Sequence, residues 1–378
     1  MFKTTPEQEE LRIKVRAFAQ KIIEPKADDI DREAIYPIEI LAEAGKLGFM
    51  GANIPTEYGG HKIDGISYAI MIEEISRVCG STGVAMAVHN SLGNLPIALF
   101  GTEDQKKKYL PRLSNGEWVG GFMLTEEQAG SDAGGLQTTA ELQGDEYIVN
   151  GSKRYILSGT NAKSFVLFAL TNKELGKKGM SAFILERDFE GVEMIKKYDM
   201  MGVRGCGAAK FSLTNVHIPK ENLLGLEGDG FKIALSALDH GRIGIAAQSV
   251  GIAQAALEHT IEYSKQREQF GKPISSFQAI QWMLANGGTE LEAARLLTYR
   301  AAAMKDEGGR FSKEAAMAKL FAAEGAVNIT GVACQIHGGG GYMKERPIER
   351  FYRDARILTV YEGTSEIQRM VIAGSLLR

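Results

Sequence analysis

The sequence predicts an α+β multidomain fold: an N-terminal α-helical domain over residues 1–115, a middle all-β barrel or sandwich domain over 116–220, and a C-terminal four-helix-bundle domain over 221–378. Three observations carry this expectation. Apolar residues recur at helical spacing in the first third, alternate between about Trp118 and Ile218, and return to long helical faces from Gly230 onward. Glycine and proline punctuate the places where the texture changes. The length, 378 residues, suffices for two or three domains and a large core.

Each element has a local reason. Thr5-Pro6-Glu7-Gln8 opens the first helix, with Thr5 as N-cap, Pro6 at the first helical position and Gln8 closing a capping box. Leu11, Val15, Phe18 and Ile22 then share one face. Ile70, Glu73, Glu74 and Val78 continue the helical pattern, with breaks at Gly59-Gly60 and Gly80. In the middle, residues 139–143 alternate, Gly144-Asp145 turns, and Tyr147-Ile148-Val149 runs into Asn150-Gly151, which reads as a hairpin. Residues 164–170 and 180–185 are apolar runs of strand length; 211–218 alternates until Pro219 stops it. Beyond Gly230, one long helix ends at Arg267, with Gly271 as its C′ residue. A second runs from about Ser275 to Lys305, and a third starts at a Ser312 cap. Helices this apolar must pack against one another or across subunits.

Bulk composition excludes several classes. Net charge is −3 with no basic block, so the footprint of a nucleic-acid binder is missing. No run of 18 apolar residues predicts membrane insertion. Cys79, Cys206 and Cys334 are far apart and offer neither a disulfide framework nor metal-ligand spacing; the six histidines form no metal-binding pair, so no metal is expected. The first thirty residues carry Glu7, Glu9, Glu10 and Glu24, unlike a signal or transit peptide, and cytoplasm is the expected location.

Five segments hold candidate chemistry. Glu362 lies in Tyr361-Glu362-Gly363-Thr364-Ser365, poor helix material just before a helix that Thr364 or Ser365 caps. A carboxylate there can project into a cavity as a general base, or serve only as a charge at a helix start. Asp239 and Arg242 share a helix face, as a surface ion pair or as a grip on a phosphorylated or amide-bearing ligand arm. Gly241 and Gly244 in the same helix make room for a packed helix or for a ligand. Arg267-Glu268-Gln269-Phe270-Gly271, followed by Gln278, suits a helix end, and equally a pyrophosphate and an aromatic ring. Gln335-Ile336-His337 leads into four glycines, Gly338 to Gly341, that match neither a Rossmann fingerprint nor a P-loop. Finally, Thr125 to Asp132 is a polar loop leaving a strand.

In this order and over essentially the whole chain, these segments resemble the acyl-CoA dehydrogenase family of flavoenzymes, nearest in pattern to short-chain or butyryl-CoA dehydrogenases. The resemblance implies FAD extended between the β domain and the C-terminal helices. Thr125 and the strand with Tyr155 and Leu157 would contact the flavin. Arg267, Phe270, Gln278, Gln335, Gly338 and Gly339 would bind the FAD of a neighbouring subunit, and Thr364 would also touch the cofactor. Ser131 lies where both cofactor and CoA approach, and Asp239 and Arg242 would hold the CoA portion. Glu362 would be the base, with its own N–H and Gly363 at the thioester. A homotetramer passing electrons to an electron-transferring flavoprotein is implied as well.

The implied reaction removes the α-proton with Glu362, delivers the β-hydride to FAD N5 and gives a 2,3-unsaturated acyl-CoA with a short, branched or cyclic acyl group. Relatives that carry the base at the position of Gly241 lack a counterpart here, which leaves Glu362 and predicts that Gly241 widens the acyl pocket. Met86, Asn90, Asn94 and Leu95, on one helix ending near Phe100, are candidate pocket residues. Two departures stand out. Leu157 replaces a threonine whose hydroxyl would bond flavin N5, and Glu127-Gln128 replaces Pro-Gly. Leu157 keeps open an enoyl-CoA reductase or an oxidase of the same family; a non-catalytic flavin-binding or repair protein with the same fold is the alternative from another class, and Glu362 beside Asp239 and Arg242 argues against it.

Overall fold

The computed structural model describes residues 3–377. The chain begins with seven helices: α1 (Pro6–Phe18), α2 (Ala27–Arg32), α3 (Ile38–Lys46), α4 (Gly65–Val78), α5 (Gly80–Val88), α6 (Leu95–Phe100) and α7 (Glu103–Ser114). The capping box of α1 forms as expected: Gln8 N–H donates to Thr5 Oγ1 at 3.3 Å and Thr5 N–H to Gln8 Oε1 at 3.0 Å. Residues 86–100 are not one helix. A π-type turn, His89–Gly93, separates α5 from α6, and Pro96 starts the latter. Asn90 and Asn94 are buried by that turn. Asn90 donates to Phe49 O and Met86 O and accepts from Ala52 N–H, while Asn94 donates to Met50 O. Both bind backbone, Asn94 Oδ1 has no partner among the described residues, and Met86 and Leu95 are buried.

The middle strands are β1 (Gly120–Met123), β2 (Thr139–Gln143), β3 (Glu146–Ile156), β4 (Ser164–Leu170), β5 (Met180–Glu186), β6 (Val192–Lys197), β7 (Ala209–Pro219) and β8 (Leu223–Leu224). They form one sheet in the order β6-β7-β3-β2-β4-β5-β8, with β1 parallel to β4. Its ends, β6 and β8, do not pair, so hydrogen bonds do not close it into a barrel. Residues of β4 and β5 are buried on both faces. Phe165, Leu167, Phe183 and Leu185 enter one core; Val166, Phe168 and Ile184 enter another, shared with Tyr109 and Leu110 of α7. Burial on both faces produces a continuous apolar run instead of alternation.

The β2–β3 hairpin turns at Gly144-Asp145, with Gly144 at φ +63°. Asn150-Gly151 is not a second hairpin. It lies inside β3 at a register slip against β7, where Asn150 Oδ1 accepts the N–H of Asn215 at 2.8 Å. Gly151 is required because a Cβ there would collide with Thr138. The Asn-Gly pair therefore makes a bulge.

The remainder is α8 (Gly230–Gln266), β9 (Glu268–Gln269), β10 (Lys272–Pro273), α9 (Gln278–Asp306), α10 (Ser312–His337), α11 (Gly339–Tyr342), α12 (Ile348–Arg356) and α13 (Ser365–Leu376). The long helix α8 packs on α10, α9 and, across the domain boundary, α4. Phe270 and Gly271, both at positive φ, form the two-residue turn between β9 and β10. Gly271 thus serves a hairpin, not a helix C′ position. Ser312 is the first residue of α10 rather than its cap, and its hydroxyl donates to Asp239 of α8. No helix among the described residues is long and apolar enough to cross a membrane.

Candidate active site

Glu362 sits between a short 3-10 turn, Ile357–Thr359, and α13. It adopts φ +52°, and Gly363 follows at +93°. A side-chain-bearing residue rarely holds that conformation, which costs on the order of 1–2 kcal/mol. The surroundings enforce it. Gln368, fully buried on α13, donates to Glu362 O at 3.2 Å and Gly363 O at 2.9 Å. Lys319 of α10 donates to Gly363 O at 2.7 Å. Tyr361 donates to Gln248 Oε1 at 2.5 Å, and Gln248 in turn to Gly80 O at 3.0 Å, which ties the turn to α8 and α5. Thr364 caps α13 by accepting the N–H of Ile367.

Both carboxyl oxygens of Glu362 are out of solvent and lack a hydrogen-bond partner. Burial pushes its pKa up to about 7, against the opposing pull of the Lys319 and Arg242 cations. A carboxylate left unpaired costs stability and retains its basicity.

Gly241 lies directly against this group. A Cβ there would overlap Glu362 Oε2, so Gly241 makes room for the carboxylate itself. Gly244, one turn on, makes room for a helix. Its Cβ would lie 2.9 Å from the hydroxyl of Tyr68 on α4. Asp239 and Arg242 are joined at 2.6 Å, but Arg242 is only 5% exposed and its Nε has no partner, so this is no surface pair. Asp239, Gly241, Arg242, Glu362, Gly363 and Thr364 are thus brought to one place, where α8, α10 and the turn before α13 meet.

Thr125 and the β3 residues also come together. Thr125 O accepts the N–H of Arg154 at 2.9 Å, which holds the loop against the strand leading to Tyr155 and Leu157. Tyr155, at φ +56°, is 54% exposed and packs 4.9 Å from Tyr198; Leu157 leans on the helical core. Ser131 is exposed on the loop. A buried pair unmarked by any motif fastens the loop: Lys153 Nζ lies 2.6 Å from Glu126 Oε1, and Glu126 accepts the N–H groups of Gln137 and Thr138.

The remaining candidates lie elsewhere. Arg267 and Phe270 follow α8, and Gln278 opens α9. Gln335, Gly338 and Gly339 end α10 nearby, where Tyr263 stacks on His337 at 4.2 Å. From Gly241 to Gln266 is 25 helical residues, about 38 Å of rise. Phe270 is 93% exposed, and Arg267, Gln278, Gln335, Gly338 and Gly339 are exposed too. One chain cannot bring this group to Glu362.

Sequence reasoning missed Lys319, Gln248, Gln368 and the Glu126–Lys153 pair. A signal existed for Lys319: it falls at helical spacing among Ala315, Ala316, Ala322 and Ala323, all buried, on a face where a lone cation is out of place.

Comparison with known proteins identifies the family. Residues 5–117, 121–216 and 228–377 match the models of the acyl-CoA dehydrogenase N-terminal, middle and C-terminal domains. The chain is 45% identical to the short-chain specific acyl-CoA dehydrogenase of Clostridium acetobutylicum over 377 residues, covering 100% of both. It is 47% identical to the 3-(aryl)acrylate reductase of Clostridium sporogenes over 374 residues, 99% of each. Among solved structures, butyryl-CoA dehydrogenase from Megasphaera elsdenii superposes with a TM-score of 0.98 at 43% identity, covering 100% of both chains. With all three domains matched in order and nearly the full length shared, the chain belongs to the acyl-CoA dehydrogenase family of FAD-dependent oxidoreductases.

Proposed function

We propose that this chain dehydrogenates a short, branched or cyclic acyl-CoA to its 2,3-unsaturated ester, with Glu362 as the base. The observation that carries the reading is the buried Glu362 carboxyl, without a hydrogen-bond partner and with its pKa raised to about 7. A base that must take a proton from a weak carbon acid works best with a pKa near the operating pH and no competing donors.

The residues present fit FAD. Tyr155 offers an exposed aromatic face beside the Thr125 loop, and the exposed Arg267–Phe270–Gln278 group suits a neighbouring subunit's cofactor, which supports a homo-oligomer such as a tetramer. When bound, FAD supplies the acceptor for the β-hydride at N5. Thr125, Ser131, Tyr155, Leu157 and Thr364 would line the bound cofactor, while Gln335, Gly338 and Gly339 extend the neighbouring subunit's contribution. Asp239, Arg242 and Ser131 would orient the CoA arm. Glu362 takes the α-proton onto an unpartnered oxygen, and its backbone N–H, presented by the turn at Gly363, donates to the thioester carbonyl as negative charge builds there. Electrons leave to an electron-transferring flavoprotein, as the family resemblance implies.

The test is a screen of acyl-CoA esters for bleaching of the purified yellow protein, with product identification. Glu362→Gln should keep FAD and bind the same ester yet lose bleaching. Wild-type flavin reduction by that variant would sink the assignment. A second reading, reduction of an enoyl-CoA, is favoured by Leu157 and by the reductase named among the relatives. It predicts faster turnover of the unsaturated ester with a reduced flavoprotein than of the saturated ester with an oxidised one.

A further inference from the structure

We infer that Lys319 is a positioning residue for the base: it ties down the turn that presents Glu362 and supplies the buried counter-charge that keeps its carboxyl ionisable. The inference rests on Glu362 being the base, and it deepens that reading.

Lys319 is 0% exposed, in the middle of α10. A buried ammonium normally pairs with a carboxylate. Among the described residues Lys319 forms no ion pair, and its hydrogen-bond acceptor is Gly363 O, at 2.7 Å. That carbonyl belongs to the residue after Glu362. The bond therefore fixes the second of two consecutive left-handed residues, and with it the direction of the Glu362 side chain. Gln368 of α13 donates to the same carbonyl.

The charges around Glu362 come from two elements, α10 and α8. Lys319 faces it from α10, and Arg242, already neutralised by Asp239, from α8. From α4 comes only the neutral hydroxyl of Tyr68, and Tyr361, next to Glu362 in the chain, is likewise neutral. Glu324 and Glu366 act on Lys319 from farther away. Lys319 is thus the one cation at the base with no carboxylate of its own within ion-pair distance, and it is the larger of the two cationic influences that oppose burial at Glu362. Burial also lowers the Lys319 pKa to about 8, and Glu362 opposes that shift, so each charge supports the other.

The test compares wild type, Lys319→Gln and Lys319→Met as FAD-loaded enzymes, following the pH dependence of flavin bleaching by a good substrate. Glu362 must be ionised to act, so wild-type rate rises with pH through about 7. Without the counter-charge the pKa of Glu362 climbs, and the acid limb should move up by about one pH unit. A limb at the wild-type pH in a folded, FAD-containing Lys319→Gln protein would overturn the inference. Loss of folding in both variants leaves the reciprocal measurement: the Lys319 titration, followed by NMR of ¹³Cε-labelled lysine, in wild type and Glu362→Gln. Removing the carboxylate should lower the Lys319 pKa, and an unchanged titration refutes the coupling. Normal bleaching by Glu362→Gln would instead refute the base assignment itself, so the two failures are distinguishable.

Discussion

A base and a helix-start charge predict opposite signs for one measurement, the stability of Glu362→Gln. If Glu362 were only a favourable charge before α13, it would stabilise the protein by about 0.3–1 kcal/mol, and its removal would destabilise. The structure predicts the reverse. The folded-state pKa is raised from 4.5 to about 7, so the native state holds this proton more tightly than the unfolded chain does. The resulting stabilisation is complete below pH 4.5 and is lost as pH rises to 7. Above 7 the carboxylate is ionised in a site that gives it no donor. At about 1.4 kcal/mol per pH unit, 2.5 units correspond to a cost of about 3 kcal/mol. Gln has the same shape and no charge to bury. At about 2.1 cal/mol/K per residue, a 378-residue chain has an unfolding entropy near 0.8 kcal/mol/K. The variant should therefore melt about 4 °C higher than wild type at pH 8.5 and match it near pH 4.5. Thermal scans of the FAD-containing proteins at the two pH values decide the matter. A melting temperature at pH 8.5 equal to or below wild type would show that Glu362 carries no stored cost.

Three further substitutions probe the surroundings. Gly241→Ala places a methyl group on Glu362 Oε2 and should lower turnover about 100-fold while FAD stays bound, measured by steady-state kinetics and flavin content; near-normal turnover would mean the carboxylate moves freely. Leu157→Thr introduces a hydroxyl on the strand implied to face the flavin, and should shift the flavin reduction potential or the rate of oxygen consumption; both unchanged would remove Leu157 from the cofactor's surroundings. Lys153→Met strands Glu126 without its partner, at a cost of about 3–5 kcal/mol, and should lower the melting temperature by several degrees; a drop of under 1 °C would mean that the pair is not what fastens the loop.

The sequence shows a helical face or a strand wherever burial is one-sided and periodic, as in α1 with its capping box. It is less clear where backbone packing decides. Asn150-Gly151 has hairpin chemistry, yet the strand runs through it, because Thr138 leaves no space for a Cβ and Asn150 pairs with Asn215 at the register slip against β7. Phe270-Gly271 was legible as a helix stop, whereas the structure uses the same positive φ for a tight hairpin. Glu362, Asp239 and Arg242 were legible because each lies in a motif. The burial of Arg242 was not, since it depends on α10 crossing α8 at Ser312, a contact 73 residues away in the chain.

Three residues at the site, Gly241, Lys319 and Glu362, share a property that is plainest once the fold is known. Each breaks a local rule with no local compensation. Gly241 weakens the helix it sits in, Lys319 buries a charge on a face of alanines, and Glu362 takes a conformation suited to glycine. Separately, each is a defect worth on the order of 1–3 kcal/mol. Neighbouring elements bring all three to one point: the glycine clears space for the carboxylate, the lysine holds the strained turn, and the turn aims the carboxylate at the glycine. Packing alone does not select unfavourable choices at three separate positions, because a core without function would be more stable with alanine, leucine and glycine in their places. Their convergence is the physical argument for proposing that the chemistry occurs at this point.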